Sequence, residues 1–168
     1  EVNVISYNLF LRIFFYGVSG IGYSYSKGEW TTQNLTKLLE IGTGSGYQTS
    51  ILSLLVRRVY TIERIKNLLI NAENKFTKLK LTNIVTKHDD GNLGWKEQVL
   101  FDRIIFTAAT NEISNIFLNH ITDQGIIIAP IVNKSKQVLK KFTKKNNKIL
   151  IKNLSDVLFV PNLSGKKN

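Results

Sequence analysis

The sequence contains no cysteine and no methionine, and only two histidines. Without cysteine there is no disulfide, no thiol nucleophile and no Cys-based zinc site. That composition fits a reducing compartment, and a cytoplasmic location is the expectation. His88 and His120 stand alone, with no Ser-His-Asp or metal-ligand constellation around them, so both read as structural or surface groups and no metal is expected. The missing initiator methionine suggests a chain that begins inside a longer gene product. No run is long and apolar enough to span a membrane: LFLRIFFYGV, from Leu9, is short, carries Arg12 and has no basic stretch before it as a signal peptide would.

What remains is ample for one folded domain. The chain has 168 residues, 43% hydrophobic and 21% charged, which excludes disorder on compositional grounds. The net charge of +11 raises the question of a polyanionic partner. The lysines are scattered among Asn and Ile, however, and read as solvated faces. They crowd only at Lys134, Lys136, Lys140, Lys141, Lys144, Lys145 and Lys148, where weak, salt-sensitive binding without sequence preference is expected. No specific nucleic-acid partner is expected, and the chain is taken as a monomer.

Strand and helix signals alternate from about residue 37. KLLEI reads as a buried strand and YQTSILSLLVRR (47–58) as a helix. VYTIE (59–63) is a second strand, and the three-and-four spacing of Ile65, Leu68, Leu69, Ala72, Phe76 and Leu79 gives an amphipathic helix. NIVTKH, DRIIFTAA and GIIIAPIV supply three more strands, with EISNIFLNHI as a helix before the last. QVLKKFT and KILIKNL around KKNN suggest an antiparallel hairpin. The expected fold is α/β: a Rossmann-like, doubly wound, mainly parallel sheet with an antiparallel C-terminal hairpin. Residues 1–36 form a divergent N-terminal segment, and residues 37–168 the main domain.

Such sheets bind ligands beyond the carboxyl ends of their strands, at the point where strand order reverses. Here the first strand runs into Gly-Thr-Gly-Ser-Gly-Tyr, residues 42–47. A dinucleotide fingerprint would need a third glycine where Tyr47 stands, and the loop has no basic residue for a phosphate. The pattern favours a nucleoside without phosphates. Glu63, ending the second strand, sits where a ribose diol would be held. Glu40, just before the turn, would suit a cationic ligand. S-adenosyl-L-methionine (AdoMet) has all these features. The plainer reading of Glu63 is a surface ion pair, of Glu40 a loop acid, and of Asp90 a turn residue beside Asp89. Trp95 reads as loop packing.

The segments LLEIGTGSGYQTSIL, VYTIERIK, HDDGNLGW, FDRIIFTAATNEI and LFVPNLSG resemble, in order and spacing, the protein-L-isoaspartate O-methyltransferase family. The resemblance runs from about Leu38 to Gly165. It implies AdoMet as methyl donor and isoaspartyl residues of damaged proteins as acceptors. It also implies site roles: Glu40, Gly42, Thr43, Gly44, Ser45 and Gly46 beside the methionine part of AdoMet, Glu63 on the ribose, and Asp90 and Gly91 on the adenine. Thr107, Ala108 and Ala109 would lie near methyl transfer, and Phe159–Pro161 near the substrate. The family's serine loop has no match in residues 1–36. Ser24 and Ser26 lie nearest by order, the catalytic residue stays unassigned, and lowered activity is the expectation. A non-catalytic AdoMet-binding remnant is one alternative. A nucleic-acid methyltransferase is another, although the chain has no N/D-P-P-Y motif and no catalytic cysteine.

Overall fold

A computed structural model describes residues 2–4, 30–32, 37–97, 100–134 and 136–168. The catalytic-serine candidates Ser24 and Ser26 lie outside these residues. Strands β1 (Val2–Val4) and β2 (Trp30–Thr32) pair antiparallel by themselves, an element that the sequence reading assigned to no strand.

The main sheet starts at its centre. Strand β3 (Lys37–Ile41) leads through the glycine turn to helix α1 (Tyr47–Leu55) and strand β4 (Arg58–Glu63). Helix α2 (Lys66–Lys78) and strand β5 (Ile84–His88) complete one half. A 3-10 turn (Gly91–Leu93) precedes β6 (Phe101–Phe106), and then come α3 (Asn115–Asn119), β7 (Ile121–Asn133), β8 (Lys136–Lys145) and β9 (Lys148–Val157). The order across the sheet is β5-β4-β3-β6-β7-β8-β9. All pairs through β7 are parallel, and the last two are antiparallel. The chain winds outward from β3 to β5, then returns to the other side of β3 as β6. The switch point therefore lies between the carboxyl ends of β3 and β6, where a ligand is expected.

Alternation along each strand builds two cores. Leu38 and Val59 face α1, packing with Leu52 and Val56. Leu39, Ile41, Tyr60, Ile62 and Ile104 face the other side, with Phe101, Trp95 and Phe117 of α3. Trp95 does pack a loop onto the core: its ring meets Tyr60 edge-on at 5.2 Å. Helices thus cover both faces, and near-continuous apolar strands result.

Two elements differ from the sequence reading. The helix expected over 112–121 is confined to Asn115–Asn119. Ser114 caps it at one end, and at the other Ile121 pairs with Phe101 in the sheet, so strand pairing takes the residue the helix would have used. The first helix also stops early, because Arg58 already belongs to β4. The lysine-rich hairpin is less uniformly exposed than its charge suggests: Lys144 turns inward and donates to the carbonyls of Leu118 (3.1 Å) and Ile121 (3.3 Å).

The β8–β9 connection is a two-residue turn in which Asn146 and Asn147 both have positive φ, 50° and 59°. That is the left-handed pair a type I′ hairpin requires, and asparagine tolerates it. Replacing both by alanine is expected to destabilise the protein by roughly 1–2 kcal/mol per residue, measured by urea unfolding, whereas Asn147→Gly should cost nothing. An unchanged midpoint in the double alanine variant would contradict this assignment.

Candidate functional site

The glycine turn is bound to its neighbours by the backbone. Gly42 has φ 99°, and a Cβ there would meet the Thr107 hydroxyl at 2.3 Å. That hydroxyl is itself fixed, donating toward the carbonyls of Ile41 (2.9 Å) and Gly42 (2.8 Å). The amides of Gly42 and Thr43 both reach the Ile62 carbonyl, at 2.8 and 3.2 Å. Gly46, φ 77°, lets α1 start against Ala72 and Phe76 of α2, where a Cβ would lie 2.9 and 2.8 Å from side-chain carbons. Gly44 is different: a Cβ there would meet nothing within 4 Å. It faces open space, and its amide donates to Glu63 Oε2 at 2.8 Å.

This turn walls a cavity of about 230 Å³, completed by Tyr47, Gln48 and Thr107. Among the described residues the wall holds hydroxyls, an amide side chain and backbone groups, but no lysine or arginine. Lys75 does reach the turn from α2, but its ammonium is on the Ser45 carbonyl at 2.9 Å.

The three acids assigned from the sequence occupy different settings. Glu63 is buried, and its other oxygen accepts from the Ile65 amide at 2.9 Å, so the carboxylate ties the glycine turn to the start of α2. It has no ion pair with any described residue. Glu40 is fully buried under the turn rather than on the cavity wall. Its carboxyl meets Thr49 Oγ1 (2.5 Å), Thr61 Oγ1 (2.7 Å) and Gln48 Nε2 (3.0 Å). Its hydrogen-bonded link to the cavity is Gln48, which lines the cavity and which sequence patterns do not single out. Its signal was its place in the first turn of the helix that follows the glycines. Asp90 caps the 3-10 turn, accepting from both nitrogens of Asn92 at 2.9 Å, and also accepts from the Gly165 amide at 2.7 Å. Gly91 lies against Ile41, whose Cγ2 would sit 2.6 Å from an added Cβ.

The C-terminal segment crosses the same edge of the sheet. Ala109 exchanges backbone hydrogen bonds with Val160 (2.8 Å) and Asn162 (2.7 Å), while Ala108 beside it is half-buried. Further on, Arg64 donates to the Gly165 carbonyl at 2.9 Å, and the Lys167 amide donates to the Arg64 carbonyl at 2.7 Å. His88 closes this contact with Nε2 3.0 Å from the Arg64 carbonyl. The structure thus gathers Thr107, Ala108, Ala109, Asp90, Glu63 and the glycine turn along the carboxyl ends of β3 to β6. Among the described residues no cluster of potential metal ligands occurs. No helix among them is long and apolar enough to cross a membrane.

A parallel sheet with a glycine turn at its switch point and an acid ending the next strand defines a Rossmann-like domain with a nucleoside-type site. Comparison with known proteins narrows the class. Residues 29–167 match the family model for protein-L-isoaspartate(D-aspartate) O-methyltransferase, and the chain belongs to that family. It is 45% identical over 130 residues to protein-L-isoaspartate O-methyltransferase of Maricaulis maris, covering 77% of this chain and 61% of that protein. With its Dictyoglomus turgidum counterpart it is 47% identical over 125 residues, covering 74% and 57%. The chain therefore spans about three fifths of the length of these relatives. A Plasmodium falciparum crystal structure assigned to the same enzyme, in complex with S-adenosyl-L-homocysteine, aligns with TM-score 0.70 at 27% identity, covering 78% of this chain and 67% of that one.

Burial pushes the Glu40 carboxyl up from 4.5 to about 7; the hydrogen bonds from Thr49, Thr61 and Gln48 oppose the rise, and the charge of Glu63 adds to it. The folded state thus holds this proton more tightly than the unfolded chain. The resulting stability is fully present below about pH 4.5 and is lost as pH rises through 7. Between these limits it amounts to something on the order of 3 kcal/mol. Glu40→Gln is expected to flatten the fall in unfolding free energy between pH 5 and pH 8. Parallel pH profiles for the variant and the natural protein in denaturant titrations would contradict it.

Proposed function

We propose that this chain binds AdoMet at the glycine turn and transfers its methyl group to the side-chain carboxylate of isoaspartyl residues in damaged proteins. The observation that carries the reading is the Glu63 carboxylate, held by two backbone amides, one of them from Gly44 in the wall of a cavity whose described residues include no cation. A carboxylate has about four lone-pair directions. Two are taken by Gly44 and Ile65, which fix its orientation, and two are left to accept from a ribose diol. With no cation among its described residues, and with Tyr47 where a dinucleotide turn has its third glycine, the wall suits a nucleoside better than a dinucleotide pyrophosphate.

In this reading Gly42, Thr43, Gly44, Ser45 and Gly46 cradle the methionine part, with Gln48 held in place by Glu40 beneath it. Asp90 and Gly91 take the adenine side, and Ala108 leaves room beside the reacting centre. AdoMet supplies a methyl group already activated on a sulfonium. The acceptor carboxylate is ionised at neutral pH, so the chain needs no strong base. Its residues contribute proximity and alignment, which can supply several kcal/mol of a barrier. In this reading the Phe159–Pro161 segment, whose Val160 carbonyl accepts from the Ala109 amide, meets the peptide there. The reading carries with it a monomeric, cytoplasmic enzyme without a specific nucleic-acid partner, and the absence of cysteine supports the reducing compartment.

Two measurements test it. By calorimetry, AdoMet and S-adenosyl-L-homocysteine are expected to bind and NAD is not. Glu63→Ala is expected to weaken AdoMet by about 2–3 kcal/mol, the scale of charge-assisted hydrogen bonds. Unchanged affinity in a folded Glu63→Ala variant would show the acid to be purely structural. With labelled AdoMet, methyl transfer should go to an isoaspartyl peptide, and neither to its aspartyl twin nor to an RNA. Running a full-length relative alongside tests the expectation of lowered turnover. AdoMet binding without transfer to any of the three would support the non-catalytic alternative, and transfer to RNA the nucleic-acid one.

A further inference from the structure

The end of the sheet opposite the glycine turn carries a second cavity, of about 330 Å³, at the amino ends of β3 and β4. Among the described residues its lining is Lys37, Arg57, Arg58 and Tyr60: three cations around the edge of a buried aromatic floor. Lys37 and Arg58 are register partners in the parallel β3–β4 pair. They point to the same face, the one that buries Leu39 and Tyr60 further along. Like charges facing one another across a strand pair are destabilising.

Local structure accounts for only part of this cluster. Arg57 follows the C-terminus of α1, where carbonyl groups favour a cation. Yet Asn83 already donates to the carbonyls of Ser53 (2.7 Å), Val56 (3.1 Å) and Arg57 (3.4 Å). Asp102, the acid close to Lys37, receives the Lys37 backbone amide at 3.0 Å. No ion pair between described residues involves Lys37, Arg57 or Arg58. Three cations lining one cavity, with no ion-paired acid among the described residues, make a local positive potential, and two of them are guanidinium forks suited to tetrahedral oxyanions.

We infer that this cavity binds a small multivalent oxyanion of the phosphate class, at the end of the sheet remote from the glycine turn. The inference does not rest on the proposed methyl transfer. Pyrophosphate is the probe, in calorimetry and thermal melts, with sodium chloride at matched ionic strength to separate binding from screening. Pyrophosphate should raise the melting temperature of the natural sequence beyond the chloride control. Arg57→Gln/Arg58→Gln should weaken its binding at least tenfold, whereas Lys78→Gln, an exposed cation on α2, should leave it unchanged. If the double variant fails to fold, Arg58→Gln and Lys37→Gln singly should each weaken binding threefold or more. AdoMet affinity should be the same in all folded variants. A pyrophosphate effect no larger than that of chloride, equal binding by the arginine variants, or joint loss of pyrophosphate and AdoMet binding would each overturn the inference. So would arginine-dependent binding of an RNA oligomer without binding of pyrophosphate.

Discussion

The glycine turn is held in place by the end of the neighbouring strand, and the site depends on that attachment. Three consecutive amides, of Gly42, Thr43 and Gly44, are all satisfied by β4: two by the Ile62 carbonyl and one by the Glu63 carboxylate. A turn of this kind would otherwise leave donors facing solvent or ligand in no fixed direction. Here the parallel β3–β4 register puts Ile41 beside Ile62, so the turn leaves β3 level with the acceptors it needs. On its other flank the Thr107 hydroxyl closes over Gly42, which only a residue without a side chain could allow. The turn is thus fixed from β4 and from β6 at once, at the one place where the winding of the sheet reverses.

Much of this was legible in the sequence because it follows from pattern. The apolar runs at 38–41, 59–62 and 126–132 read as buried strands, and glycine at every second position after the first reads as a turn that a ligand can approach closely. The asparagine pair of the hairpin has its own conformational signature. Long-range competition was less legible. Whether Ile121 ends a helix or begins a strand depends on Phe101, which lies twenty residues earlier and pairs with it. The course of the C-terminal segment over Ala109, Asp90 and Arg64 rests on backbone hydrogen bonds at Ala109 and Arg64 and on the Asp90 carboxylate, partners too distant along the chain for a local pattern to record.

The site acids show the same division. Glu63 and Glu40 stand out in the sequence as acids at the ends of apolar runs, yet their environments differ in ways that spacing cannot express. Glu63 is oriented by amides and keeps acceptor capacity. Glu40 is enclosed by two threonine hydroxyls and the Gln48 amide beneath the turn, and burial makes its proton hard to remove. It works as a support for the first turn of α1. Asp90 has two structural duties, capping its own turn and holding the C-terminal segment, and the adenine contact proposed for it would be added to these.

A crystal structure of the chain with S-adenosyl-L-homocysteine would test the central claim, that the amide-held Glu63 and the glycine turn form one nucleoside site, most directly. The account predicts the ribose hydroxyls on Glu63, the amino-acid part along Gly42–Gly46, and the Gly44–Glu63 hydrogen bond retained. A ligand seated elsewhere, or one that displaces the Glu63 carboxylate from both amides, would contradict it.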